Sequence, residues 1–351
     1  MTWNAIPAPG LRRPDNVAAM TITDAPAERR PARPRIVRTV LIWLLALPAA
    51  AWFVMRAFGL ETSVLIMLVA FTPYVAAWSS IPFLLALVTR RWAAAALSGL
   101  VAFGLAVCVV PRAVPDRDTG PVDGVTLTVM SMNMLFGGAS ATELVKLIED
   151  NDVDVLAVQE YNERSRAALK AAGLEALLPY NQLAPEWGAS GSGIYSRHPM
   201  SEQASRRGAG GMQQAHATLQ VPGIGPVYVE SVHPLAPAHP SMLDGWAVDL
   251  RDQVAADPHG MPRILLGDFN ATLDHKLVRD LIATGYRDAA ATTGKGLIGT
   301  WGPYDSDPIP PVTIDHVLVD ERIGVDGYEV HGVTKSDHRA IIAGLTLPAA
   351  S

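Results

Sequence analysis

Apolar residues follow different rules on the two sides of residue 111. Before it they come in three uncharged runs: residues 39–55 between Arg38 and Arg56, 62–89 between Glu61 and Arg90, and 92–111 between Arg91 and Arg112. Each is about as long as a helix needs to cross roughly 30 Å of hydrocarbon. A single run of this kind also fits a buried soluble helix or a signal peptide, and Leu47-Pro48-Ala49-Ala50-Ala51 resembles a cleavage site. Three in succession predict three transmembrane helices within residues 36–111, at about 37–58, 63–88 and 92–110.

From residue 125 the pattern is that of an α/β domain. Residues 125–130 are rich in β-formers, and residues 153–158 make the next strand. Between them Ser140 and Glu143 have capping-box spacing, and Leu144, Val145, Leu147 and Ile148 recur on one helical face. Later strands are expected at residues 227–232, 264–266, 316–319 and 339–345, with helices near 242–256 and 276–283. No internal repeat or heptad pattern interrupts this alternation.

Composition separates the same two halves. The chain has 351 residues, 49% hydrophobic and 18% charged, and nearly all of the apolar excess precedes residue 111. Residues 1–110 carry 10 Lys/Arg against 4 Asp/Glu, and residues 111–351 carry 18 against 30. Residues 1–35, rich in Pro, Ala and Arg, read as a disordered basic tail. The arginines at 29, 30, 33, 35 and 38, with the Arg90-Arg91 pair, predict a cytoplasmic N-terminus; three spans then place everything after residue 111 outside the cytoplasm. Residues 112–124 read as a linker and 125–351 as the α/β domain. The one cysteine, Cys108, lies in an apolar run, so disulfides and thiolate zinc sites are excluded from that domain.

Polar residues recur where strands end. Asn133 closes the first in Ser131-Met132-Asn133, Glu160 the second in Gln159-Glu160, and His233 a third in Val232-His233-Pro234. Ile264-Leu265-Leu266-Gly267-Asp268-Phe269-Asn270 then delivers a carboxylate and an amide two residues apart, on one side of an extended chain. Asp315 opens a strand beside His316, and Asp337 and His338 precede the last one. A desolvated carboxylate is costly, so several at strand ends point to a hard cation that takes oxygen ligands.

This ordered set (N…QE…H…GDFN…ID…SDH, from Ser131 to His338) resembles the endonuclease/exonuclease/phosphatase superfamily, which includes type I DNases, apurinic endonucleases, neutral sphingomyelinases and inositol-polyphosphate 5-phosphatases. The resemblance implies a four-layer α/β sandwich, two mixed sheets face to face with helices outside and the site at one end. It implies that Glu160 is the principal Mg²⁺ ligand (Mn²⁺ being the substitute), with Asn133 and Asp337 on the metal side. Asp268 then orients or deprotonates water, Asn270 holds a phosphate oxygen, His233 and His338 flank the phosphate, and Asp315 fixes the tautomer of His338. His316, facing the other side of its strand, is left out, and His216, His239 and His259 read as surface or core. His198 reads as structural, and Arg197 is a minor candidate for phosphate contact. A second glutamate that several nuclease members carry has no clear counterpart, since Glu186 and Glu202 fit poorly.

The implied activity is metal-dependent hydrolysis of a phosphoester by an activated water. Three spans place the site at a bilayer, which favours a lipid or envelope phosphoester or pyrophosphate, and the architecture also resembles three-span bacterial proteins associated with glycopeptide resistance. The alternative is a membrane-tethered nuclease; the acidic balance after residue 111 opposes non-specific DNA binding, and Arg206-Arg207 is the one basic pair there. A catalytically inactive binding or sensor domain is the third reading, disfavoured because every core position holds a competent residue. Since all candidate residues lie beyond residue 125, the domain is expected to act on a soluble phosphoester without its helices.

Overall fold

The structure, a computed structural model, describes residues 1–4, 33–117, 120, 124–302 and 309–349. The basic tail read over residues 1–35 falls almost wholly outside them.

Among the described residues, the apolar half holds four α-helices: α1 (Arg33–Phe58), α2 (Val64–Val69), α3 (Thr72–Val88) and α4 (Trp92–Val109). Among the same residues two segments are long and apolar enough to cross a membrane, Ile36–Phe58 and Trp92–Ala113; Thr72–Val88 is shorter. The run at 62–89, expected as one span, is therefore two helices with a break at Ala70 and Phe71. Pro73 explains where the second begins. Proline lacks an N–H and is tolerated cheaply in the first turn of a helix. Thr72 Oγ1 donates to Val69 O at 2.6 Å across the break. Helices α1, α3 and α4 pack through small side chains, with Ile42 against Ala86, Ala94 and Ala95, and Ala49 against Val101 and Leu105. The C-terminal ends of α1 and α4 lie side by side, because Arg56 and Arg112 reach the same carboxylate, Asp274.

The second half runs β1 (Val125–Asn133), α5 (Ala141–Asp150), β2 (Val155–Gln159), α6 (Glu163–Ala171), α7 (Leu174–Leu177), β3 (Tyr180–Ala184), β4 (Ser192–Ser196), β5 (Met200–Arg207), β6 (Gln213–Leu219), β7 (Val227–Val232), α8 (Leu243–Arg251), β8 (Arg263–Asp268), α9 (Lys276–Ile282), β9 (Tyr286–Asp288), α10 (Ala289–Thr292), β10 (Asp315–Asp320), β11 (Gly324–Gly332) and β12 (Arg339–Leu347). Ser140 caps α5 by accepting from the Glu143 N–H, but the reciprocal half of the capping box does not form, because the Glu143 carboxylate accepts from Thr334 and the Ser140 N–H donates to Thr334 O. One sheet has the order β11-β12-β1-β2-β4-β3 and the other β5-β6-β7-β8-β10-β9. Both are mixed: β1–β2 and β7–β8 are parallel, their neighbours antiparallel.

Period-two alternation makes the layers. On β1, Leu127 and Val129 face the space between the sheets, while Met130 and Met132 face outward onto Leu144 and Ile148 of α5. On β8, Ile264 and Leu266 point inward and Leu265 outward to Trp246 of α8 and Val278 of α9. The result is a DNase I-like four-layer sandwich, helices–sheet–sheet–helices. The outer cluster of the second sheet also takes in Ile66 of α2, so the apolar half is docked on the domain. The segment read as a linker is held down as well: Arg112 is buried and the Asp116 N–H donates to Thr292 O at 2.8 Å.

Parallel strands β7 and β8 approach closely at Gly267, where φ is +155° and an added Cβ would stand 2.0 Å from Val232 O. Gly267→Ala is expected to cost about 1–3 kcal/mol by overpacking, read as a lowered melting temperature of the detergent-solubilised protein. An unchanged melt would show that the two strands can separate there freely.

Candidate active site

One end of the sandwich collects the polar strand ends. Asn133 ends β1 and is opposite Gln159 of β2, which leads into Glu160. Asp268 ends β8 and is paired across the sheet with Asp315, the first residue of β10. His233 follows β7, and His338 immediately precedes β12. Asn133, His233, Asp268, Asp315 and His338 form a buried floor; Glu160, Asn270 and Asp337 are half-buried around it. All eight residues named from the sequence thus come to this end of the fold.

Asp268 is at the centre. Its Oδ2 accepts from Asn133 Nδ2 at 3.0 Å, and its Oδ1 accepts from the Asn270 N–H at 2.8 Å. Nε2 of His338 and of His233 stand 3.6 and 3.8 Å from Oδ2. Asp315 lies behind His338, both of its oxygens 3.0–3.1 Å from Nδ1. That contact holds Nδ1–H toward Asp315 and turns Nε2 to the site. Asn133 Nδ2 is also 3.2 Å from Glu160 Oε1, while the Phe136 N–H donates to Glu160 Oε2 at 2.7 Å. Asp337 accepts from Trp301 Nε1 at 2.9 Å through one oxygen; the other is buried without a partner.

Two residues reach their positions through left-handed backbone. Glu160 has φ +53° and Asn270 φ +48°, conformations that non-glycine residues hold only where their surroundings impose them. Trp246 Nε1 donates to Asn270 O at 3.0 Å, and one amide hydrogen of Asn270 goes to Pro234 O at 3.1 Å.

Burial dominates the electrostatics. It raises the Glu160 carboxyl, against the lowering hydrogen bonds from Phe136 and Asn133, and raises Asp268 against the nearby histidines. It lowers His233, which is neutral and has Nδ1 unpartnered. For His338 burial is outweighed by Asp315 and Asp268, and its pKa is pushed up to about 10. The site thus offers a base at Asp268, an imidazolium at His338 and a neutral imidazole at His233.

The donor set suits a divalent cation. The carboxylates of Glu160 and Asp337, the latter with one buried oxygen unpartnered, supply oxygens of the kind hard cations take, while Asn133 turns its Nδ2 toward Glu160 and Asp268 and its Oδ1 to the Leu135 N–H. Asp268, Asp315 and His338 also bring ligand atoms within 4.8 Å of one another. Asp315 is engaged with His338, and both Glu160 oxygens accept hydrogen bonds, from Asn133 Nδ2 and the Phe136 N–H, whereas one Asp337 oxygen has no partner.

Several supports were not singled out in the sequence. Gln159 accepts from Ser131 Oγ at 3.2 Å and donates to Ser231 Oγ at 3.0 Å, a buried bridge between the sheets directly beneath Glu160. Its place beside Glu160 was the available signal. Ser336 Oγ donates to Asn133 O and accepts the His338 N–H, tying the loop before β12 to β1. Trp301 lies in an irregular loop with no periodicity to mark it. The other residues considered lie elsewhere. Arg197 pairs with Asp154, Glu186 with Arg207, and Thr218 donates to Glu202. His316 bonds to Asp288 and Ala271 O on the opposite side of β10 from His338.

His338→Ala and Asp268→Asn are each expected to lower turnover by about 10²-fold or more. Asp315→Asn should be milder, and the double variant with His338→Ala no worse than His338→Ala alone if Asp315 acts through that ring. Because the folded pKa of His338 lies above its ordinary 6.5, its ionic contribution to stability is full below that value and is lost as pH rises through about 10. The alkaline limb of the rate profile should follow, and Asp315→Asn should move it to lower pH; an unmoved limb would remove His338 from that role.

Residues 130–338 match the model of the Endonuclease/Exonuclease/phosphatase family. No protein of curated function matches the sequence. An endonuclease/exonuclease/phosphatase from Beutenbergia cavernae DSM 12333 is similar in structure, with 20% identity, a TM-score of 0.52, and coverage of 64% of this chain and 72% of that one. D. rerio TDP2 humanized by 14 mutations matches with 17% identity and a TM-score of 0.52 over 63% of this chain and 99% of its own. D. rerio TDP2 complexed with single strand DNA product matches with 17% identity and a TM-score of 0.51 over the same shares, 63% and 99%. At these identities the structural likeness bears on the fold. The family match spans more than half of the chain and covers all eight converging residues, and on it the protein belongs to the endonuclease/exonuclease/phosphatase family, whose enzymes are metal-dependent phosphoesterases and nucleases.

Proposed function

We propose that this chain is a membrane-anchored, Mg²⁺-dependent phosphoesterase with its site outside the cytoplasm, acting on a lipid or envelope phosphoester or pyrophosphate. The observation that carries the hydrolytic reading is the setting of Asp268: a buried carboxylate with two imidazole Nε2 atoms at 3.6 and 3.8 Å, and Asn133 and Glu160 beside it. Asp268 accepts the proton of the attacking water, its basicity raised by burial. His338, kept protonated by Asp315 and Asp268 against the effect of its burial, meets charge developing on the phosphoryl oxygens, and neutral His233 donates a hydrogen bond from the other side. Glu160, with Asn133 and Asp337 nearby, would hold a divalent cation, which when bound would supply Lewis-acid neutralisation of the phosphate.

Membrane anchoring is supported by the two long apolar helices and by the way they end. Arg56 and Arg112 meet at one carboxylate, so α1 and α4 run the same way with α3 returning between them. An odd number of crossings follows if α3 also spans, and its 17 residues sit at the short limit for a span. A lipid substrate is supported by exposed apolar side chains near the site. Phe136, whose N–H holds Glu160, is 60% exposed, and Trp187, which lines the same hollow, is 96% exposed. A nucleic acid is the second reading, motivated by the single strand DNA product bound to the structurally similar D. rerio TDP2. Against it, Arg206 and Arg207 are spent on Glu230 and Glu186.

The full-length protein in vesicles should hydrolyse a polyprenyl pyrophosphate or a phospholipid in Mg²⁺ or Mn²⁺ and stop in EDTA. Glu160→Gln should raise the metal concentration needed by about 10–100-fold. Activity undiminished in chelator would end the metal-dependent reading, and nicking of plasmid DNA with no lipid turnover would replace the lipid with nucleic acid.

A reporter active only outside the cytoplasm, fused after Ser351, should give signal. Silence there, with signal from a fusion near Arg90, would invert the proposed topology.

A further inference from the structure

The loop that follows the Gly267–Asn270 strand end is held by the apolar half of the chain. Asp274, four residues beyond Asn270, has a side chain with no solvent exposure. Its Oδ1 accepts from Arg56 Nε at 3.0 Å and Arg112 NH2 at 2.5 Å, and its Oδ2 from Arg112 NH1 at 2.8 Å. Arg56 is in the last turn of α1 and Arg112 just beyond α4. Arg279 closes the cluster by donating to the backbone carbonyls of Asp274 and Arg56. A buried carboxylate is tolerated only while paired, and removing a partner leaves an uncompensated charge.

His275 makes a second tie. Its Nδ1 accepts the Thr272 N–H at 2.9 Å, so Nε2 carries the hydrogen and donates to Ile66 O of α2 at 2.9 Å. Burial lowers its pKa, which keeps this neutral tautomer. The ring stands edge-on to Trp246, centroids 5.4 Å apart, and the same indole donates to Asn270 O. A continuous set of contacts thus runs from α1, α2 and α4 to the carbonyl of Asn270. That residue holds a left-handed conformation and gives its N–H to Asp268.

We propose that Asp274 is a positioning residue, through which the N-terminal helices hold Asn270 and Asp268 in place. Hydrolysis then depends on the helices even when the substrate is water-soluble. This reverses the sequence-based expectation that the domain acts without them, and it rests on the phosphoesterase reading only for its kinetic readout.

The test uses the full-length protein in detergent with saturating Mg²⁺ and bis(4-nitrophenyl) phosphate, a soluble diester, well below the melting temperature. Asp274→Asn keeps size and removes charge. Arg56→Met is the milder variant, because Arg112 still holds Asp274. Asp280→Asn, on the exposed face of α9, is the control. The first two should lower kcat by about 10–100-fold, the scale for a small misplacement of a catalytic group, with KM within about threefold and the control at wild-type rate. Hydrogen exchange across residues 269–276 should quicken in both variants while β1 and β2 stay protected. A lowered melting temperature with wild-type kcat and wild-type exchange would make the cluster a structural brace and overturn the proposal. If the wild-type protein hydrolyses no phosphoester, the functional reading fails, while the exchange measurement still decides whether Asp274 holds the loop.

Discussion

Asp268 is a carboxylate at 2% exposure, and the rest of the site is arranged around its desolvation. An isolated charge at that depth would cost several kcal/mol. Hydrogen bonds from Asn133 and from the Asn270 N–H, and the imidazoles of His338 and His233, offset that cost. Each partner comes from a different strand end, so the carboxylate is stable only when both sheets are assembled. Burial raises its affinity for a proton against the opposing pull of those histidines and the Asn270 N–H, which is the property a base for water needs. Fold and chemistry thus depend on one set of contacts.

The two sheets are joined at this end by polar groups as well as by core. Gln159 reaches from β2 to Ser231 of β7, and Ser131 bonds to Gln159 from β1. Buried polar contacts of this kind are directional, so they set the relative placement of Glu160 and Asp268 more narrowly than apolar packing would. Glu160 and Asn270 turn left-handed where their strands end, and each is held by neighbours from other elements.

The apolar half adds a second buried carboxylate. Asp274 is neutralised by arginines from the ends of two helices, and that pairing makes the long apolar helices and the loop after β8 one packed unit. Ile66 carries the same junction in apolar form, joining the cluster of Trp246, Leu265 and Val278.

Much of this was legible in the amino-acid order. The β-formers of residues 125–130 and the apolar run at 264–266 marked strands, and their two faces became the inner and outer cores. Oxygen-bearing residues at strand ends marked the site, because a sheet delivers whatever ends its strands to one edge. Length and charge marked α1 and α4, and Ser140 marked the start of α5. Other features depend on tertiary contact and leave no local trace. Pro73 is a local sign of the break at Ala70 and Phe71, but the seating of Ile66 of α2 on the domain is something hydropathy does not register. Gln159, Trp301 and Ser336 matter through partners distant in sequence. Asp274 reads as one more loop carboxylate until Arg56 and Arg112, 218 and 162 residues away, close on it. Periodicity and strand-end chemistry are local and can be read along the chain; the pairing of buried charges is set only when the chain is folded.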